Sequence, residues 1–138
     1  MYINPWQPQP YGQPYSYNDI IFGSSRNDRI FGGYGNDQLF GCCGNDQLFG
    51  GLGQDVLYGG QGNDYLVGGQ GRDILIGGSG YNRIYGGQGD IIIADYNDQV
   101  KASWGSRVLR LPTYIVDQIG RMFEIMAASK QRCNYGYR

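Results

Sequence analysis

Histidine is missing from this chain altogether. Its absence removes the commonest general base and a usual zinc ligand, so neither a Ser-His-Asp triad nor an HExxH zinc site is available. Asp without His leaves only carboxylate-pair chemistry, and no enzymatic activity is expected. No apolar run is long enough to cross a bilayer. The opening stretch MYINPWQPQPYGQPYSYN lacks the basic n-region and unbroken apolar h-region of a secretory signal. Cysteine is scarce too: Cys42, Cys43 and Cys133 are too few and too oddly spaced for a disulfide framework or a CxxC metal site.

Glycine, by contrast, is abundant, with 25 in 138 residues, far above the usual share. Something other than a thick apolar core must hold such a chain together. Charge is unevenly placed. Before residue 100, Arg26, Arg29, Arg72 and Arg83 stand against ten aspartates; after it, seven Lys and Arg stand against Asp117 and Glu124. The first part is therefore expected to bind cations, and the basic tail to dock on something acidic, in this chain or a neighbour.

From Gly23 to Tyr85 the chain reads in nines: GSSRNDRIF, GGYGNDQLF, GCCGNDQLF, GGLGQDVLY, GGQGNDYLV, GGQGRDILI, GGSGYNRIY. The period extends back into PYSYNDIIF and forward into GGQGDIII and ADYNDQVK, where each turn has lost one residue. About ten units result, the outer ones degenerate, as the caps of repeat arrays are. Six residues rich in Gly, Asn and Asp make a turn. The next three make a short strand whose middle side chain points opposite to its neighbours. That middle position reads Ile21, Ile30, Leu39, Leu48, Leu57, Leu66, Leu75, Ile84, Ile92 and Val100, an interior row. Two units complete one circuit and return the chain about 4.8 Å higher. The expected fold is all-β: a right-handed parallel β-roll solenoid over residues 14–101, preceded by a Pro/Gln/Tyr-rich extended leader (1–13).

Stacking then sets Asp28, Asp46 and Asp64 above one another on one edge, and Asp37, Asp55 and Asp73 on the other. Bare carboxylates one strand spacing apart repel by roughly 3–4 kcal/mol at an effective dielectric near 20. One aliphatic per nine residues is too thin a core to absorb that cost repeatedly. A hard cation taking many oxygens in loose geometry fits, which describes calcium better than magnesium. A metal-free solenoid needs only turn chemistry, and turn chemistry does not call for Asp at six successive sixth positions. GGYGNDQLF, GGLGQDVLY, GGQGNDYLV and GGQGRDILI resemble the repeats-in-toxin (RTX) pattern GGxGxDx(aliphatic)x at every defined position. The resemblance implies several Ca2+ ions between turns eighteen residues apart, at Asp28/Asp46, Asp46/Asp64, Asp37/Asp55 and Asp55/Asp73. It implies a weaker site at Asp64/Asn82, while Asp19/Asp37 lacks the glycines; Asp90 carries the pattern on. Binding and folding should be one event, so the chain closes up at extracellular calcium levels.

The ninth positions, Phe22, Phe31, Phe40, Phe49, Tyr58, Val67, Ile76 and Tyr85, are expected to point outward as an apolar stripe on each face. Such stripes mark interfaces, although ladder neighbours also cover one another. Phe31, Phe40, Phe49 and Tyr58 are the interface candidates, with Cys42 and Cys43, which on an exposed edge crosslink molecules, join Cys133, or are simply tolerated. Residues 102–138 are expected to cap the roll. QVKASWGSRVLRLP reads as one or two strands, and residues 113–130 as an amphipathic helix N-capped by Thr113. Ile115, Ile119, Met122, Phe123 and Met126 form its apolar face. Sealing the open end of the roll is its expected role, and serving as a C-terminal export signal is a second.

The leading functional expectation is a secreted, extracellular calcium-binding structural protein that self-assembles into a filament, matrix or surface layer as a homo-oligomer or polymer. The alternative is a calcium-dependent folding and secretion module of an enzyme, toxin or adhesin. Polysaccharide or a cell surface is a further candidate partner, but recognition of an extended surface such as ice or polysaccharide ranks last, because the third turn position varies through Tyr34, Cys43, Leu52, Gln61 and Gln70. The basic tail alone does not indicate nucleic acid.

Overall fold

The structure, a computed structural model, describes residues 18–127, Cys133 and the short strand Tyr2–Ile3. The rest of the leader, and residues 128–130 of the expected helix, lie outside the described residues. In chain order the strands are β1 (Tyr2–Ile3), β2 (Ile20–Phe22), β3 (Arg29–Tyr34), β4 (Gln38–Phe40), β5 (Gln47–Leu52) and β6 (Val56–Gln61). Then come β7 (Tyr65–Gln70), β8 (Ile74–Ser79), β9 (Arg83–Gly86), β10 (Ile91–Ala94), β11 (Gln99–Ala102) and β12 (Arg107–Arg110), followed by helix α1 (Thr113–Ala127).

Odd strands form one sheet in the order β1-β3-β5-β7-β9-β11, and even strands the other in the order β12-β10-β8-β6-β4-β2. Neighbours in each sheet are parallel, and Ile30 pairs with Leu48 and Leu48 with Leu66 in the eighteen-residue register read from the repeat. The register tightens where the sequence loses residues: Leu75 pairs with Ile92 and Ile84 with Val100. The all-β parallel roll is thus present, with about five circuits and one helix. The last circuit runs past residue 101, because β12 pairs with β10 along its whole length.

Strands are longer than three residues in the central units, since the paired glycines Gly33, Gly51 and Gly69 stay in register. At Gly51 φ is +107°, and a Cβ there would collide with the carbonyl of Gly33. Glycine at this position lets the turns stack one strand spacing apart without strain. Between the sheets, Ile30, Leu39, Leu48, Leu57, Leu66, Leu75, Ile84 and Ile92 are fully buried in a single row. Each contributes about 1.5–3 kcal/mol by burial.

Helix α1 overturns the expectation of an end cap. It lies across the even sheet, where Val116 joins Phe40, Tyr58, Ile76 and Ile93 in a second core, with Ile119, Phe123 and Ala127 packed against it. Gly120 sits directly on the Tyr58 ring, so a Cβ there has no room, and Tyr58 donates its hydroxyl to Asp117 Oδ1 at 3.2 Å. That contact explains a mid-helix glycine, which otherwise costs about 1 kcal/mol. The buried face is consequently rotated from the expected one: Met122 and Met126 are 60% and 79% exposed. The Thr113 hydroxyl is engaged away from the helix, donating to Asp95 Oδ2 at 2.6 Å.

Candidate metal centre

Each turn column is built by two opposed side-chain ladders. The sixth-position carboxylates accept backward: Asp46 Oδ1 takes the Asp28 N–H, Asp64 that of Asp46, Asp55 that of Asp37 and Asp73 that of Asp55, all at 2.7–2.8 Å. The fifth-position amides accept forward: Asn27 Oδ1 takes the Asn45 N–H, Asn45 that of Asn63, and Asn63 that of Tyr81. Asn is a complete answer to the turn's backbone needs. The carboxylates are not, for they bring a second oxygen.

In the middle circuits that second oxygen is stranded. Oδ2 of Asp37, Asp46, Asp55, Asp64 and Asp73 is buried without a hydrogen-bond partner. Stranding a buried charged acceptor costs more than the 1–3 kcal/mol of a neutral one. Burial is accordingly the main force raising these groups, to about 8 at Asp46, about 7 at Asp64 and Asp73, and about 6 at Asp37, with neighbouring carboxylates adding to it. Asp55 is raised by burial as well. At neutral pH each such oxygen needs a proton or a cation.

The cradle suits a cation. Beside Oδ2 of Asp46 stands the position where a Cβ on Gly41 would come within 2.6 Å of that oxygen and 2.5 Å of the Gly59 carbonyl. The same pairing occurs one half-circuit earlier, with Gly32, Asp37 and the Gly50 carbonyl. Glycine thus leaves room between a carboxylate and a main-chain carbonyl. An open groove of about 540 Å³ runs along one column, lined by Asn45, Asp46, Asn63, Asp64 and Asn82. Among the described residues no three Asp, Glu, Cys or His side chains converge on one point. Carboxylates from successive circuits, completed by carbonyls, are what this architecture offers. An all-oxygen donor set of loose geometry suits calcium.

A family model described as the RTX calcium-binding nonapeptide repeat matches residues 15–41, 44–75 and 67–90, in four copies. The chain belongs to the RTX calcium-binding nonapeptide-repeat family. No curated protein and no solved structure matches it.

Within this RTX roll the nine sequence-predicted ligands divide in two. Asp37, Asp46, Asp55, Asp64 and Asp73 keep a stranded oxygen; nearer the ends, Asp28, Asn82 and Asp90 are satisfied by the protein. Asp28 accepts from the Ser24 N–H and hydroxyl, Asp90 from the Gly87 and Asp73 N–H groups, and Asn82 from Asp64 N–H. Asp19 is half-buried, its N–H donating to Asp37 Oδ1. Sequence reasoning missed Asp95 and Asp98, which close the column. Asp98 Oδ1 accepts from Asn82 N–H and Oδ2 from Asp95 N–H, and Arg110 Nη1 donates to the carbonyls of Asp95 and Asp98 at 2.7 and 2.9 Å. The Asp-x-Val of NDQV was the available signal.

The interface candidates are also redistributed. Phe40 and Tyr58 are buried under α1, because the helix has taken their face for its own packing. Phe31 and Phe49 remain on the odd sheet, half-buried and stacked at 4.8 Å. Cys42 is buried, not exposed on an edge, and is bonded to Cys133; Cys43 is half-buried and outside that disulfide, its thiol donating to Gln61 Oε1 at 3.8 Å. Cys42 holds φ +79°, at the position where other turns use glycine.

Proposed function

We propose that this protein is an extracellular calcium-dependent structural protein, which folds on meeting calcium and then associates end to end into a filament, matrix or surface layer. The observation that carries it is the set of five stranded carboxylate oxygens in the middle circuits: the roll is short of positive charge wherever its repeat is most regular. The Cys42–Cys133 bond supports an oxidising compartment, where calcium is also plentiful. No described helix is long and apolar enough to cross a membrane. Association is assigned to the ends, since β12 leaves one edge without a partner strand among the described residues and exposes Val108 and Leu109. The reading assigns no catalytic role to the aspartates, which serve the metal and the backbone ladders.

Sedimentation and electron microscopy with calcium and after chelation test this directly. Calcium should raise β-sheet signal and particle size together; a calcium-loaded monomer at high concentration sinks the assembly. A second reading, a folding and export module for a secreted enzyme, toxin or adhesin, draws on the exposed outer side of α1, with Tyr114, Met122, Ile125 and Met126.

A further inference from the structure

The net charge of −1 misdescribes the folded surface. Among the described residues every carboxylate is buried except Asp19 and Asp117, which are half-buried. The cations stand outside: Arg26, Arg29, Arg72, Arg83, Lys101 and Arg107 are all exposed. Filling the turn columns with a divalent cation cancels the buried negative charge and leaves the outer positive charge unopposed.

Three of these cations share the outer face of the odd sheet, away from α1, which packs on the even strands β6, β8 and β10. Arg29, Arg83 and Lys101 project from β3, β9 and β11 beside exposed Gln47 and Gln99, and among the described residues that outer face carries no carboxylate. Four strand steps set Arg29 and Lys101 about 19 Å apart along the roll axis. Between them runs a ladder of rings: Phe31 on Phe49 at 4.8 Å, Phe49 with Tyr65 at 6.0 Å, Tyr65 with Tyr85 at 5.1 Å. Arg29 lies over Phe31 and Phe49, and Lys101 over Tyr85, which holds the charges in fixed places.

We infer that this sheet face, in the calcium-loaded roll, binds an extended acidic polysaccharide lying along the roll axis. The inference rests on the calcium-folding reading. A second copy does not fit, because face-to-face packing opposes Arg29, Arg83 and Lys101 to themselves. Single-stranded nucleic acid requires free ring faces for base stacking, and these rings spend their faces on one another and on the cations. An acidic membrane calls for protruding apolar side chains, whereas Phe31, Phe49, Val67 and Tyr85 are half-buried. What remains is a flat row of cations and amides over ring edges, which suits a linear polymer with regularly spaced anionic groups.

The full chain is titrated against immobilised dextran sulfate in calcium, with uncharged dextran as reference. Retention should fall at least tenfold in Arg29→Gln/Arg83→Gln/Lys101→Gln and stay within about twofold in Arg26→Gln/Arg72→Gln. Log affinity should fall with log salt at a slope of about 2–3, as three displaced counterions require. Equal retention on uncharged dextran, an unaffected triple variant, or tighter binding to single-stranded DNA or phosphatidylserine vesicles overturns the inference. Circular dichroism of the same samples separates the two claims. A chain that folds with calcium yet ignores dextran sulfate refutes the face alone, and one whose spectrum is indifferent to calcium refutes the reading beneath it.

Discussion

In the middle circuits, Asp37, Asp46, Asp55, Asp64 and Asp73 each leave a buried oxygen without a donor; in the closing circuit, Asp95 and Asp98 have donors on both oxygens. The columns are continuous, so the contrast comes from neighbours. Thr113, Arg110 and the tight Asp95–Asp98 turn supply from the protein what the regular repeats leave open. A perfect repeat cannot cap itself, because every donor it offers is matched one circuit on. Irregular sequence is what closes the column, and the closing block is further fixed by α1 on the even sheet and by the Cys42–Cys133 bond.

Calcium removal should break this comparison open most widely. After exhaustive chelation at pH 7.5, amide exchange should become fast in β3, β5 and β7 while β8, β10, β12 and α1, which pack on one another, keep the most protection. Uniform protection with and without calcium rules out the division. Acid offers the other way to supply positive charge. Burial raises Asp37, Asp46, Asp64 and Asp73 to between about 6 and about 8, from an unfolded value of 3.8. The folded metal-free roll therefore binds more protons than the unfolded chain across that window. Its stability is fullest below about pH 4 and is lost as pH rises through 6 to 8. Metal-free protein should show more β-sheet signal at pH 5 than at pH 8, and calcium should abolish the difference. A metal-free signal that rises with pH contradicts the stranded-carboxylate account.

How far the sequence reached follows the same line. Glycine, aspartate and one aliphatic at fixed offsets state the circuit, the register and the buried row, because a period of nine is enforced at every unit by backbone contact. Even the tightening at Asp90 and Asp98 is legible as missing residues. What the repeat does not encode is tertiary choice. Phe40 and Phe49 occupy equivalent positions, and only the docking of α1 buries one and leaves the other half-covered. Gly120 reads as a flaw in a helix until Tyr58 is found beneath it. Cys42, in a turn, and Cys133, beyond the helix, are 91 residues apart, and no spacing rule joins them.

The disulfide sharpens the comparison in energy. By the chain-entropy account, closing a loop of 91 residues contributes about 4–5 kcal/mol. Cys133→Ser should lower the urea midpoint at saturating calcium accordingly, and one further free thiol should be titrated. An unchanged midpoint means that the bond does not hold the block.

Arg110 makes the smallest and most specific test. It bridges the carbonyls of Asp95 and Asp98, where the column's closure rests on a protein cation. Each hydrogen bond from a charged donor is worth about 1.5–3 kcal/mol, and partial exposure of the guanidinium holds the total near the lower figure. Arg110→Ala should therefore destabilise the loaded roll by about 2 kcal/mol and Arg110→Lys by less. Neither should change calcium affinity in the middle circuits, because Asp37 through Asp73 share no partner with Arg110. If Arg110→Ala instead weakens calcium binding at every site, the closing block and the ion columns fold as one unit. The contrast between self-satisfied and metal-satisfied circuits would then describe the static arrangement only, not the energetics.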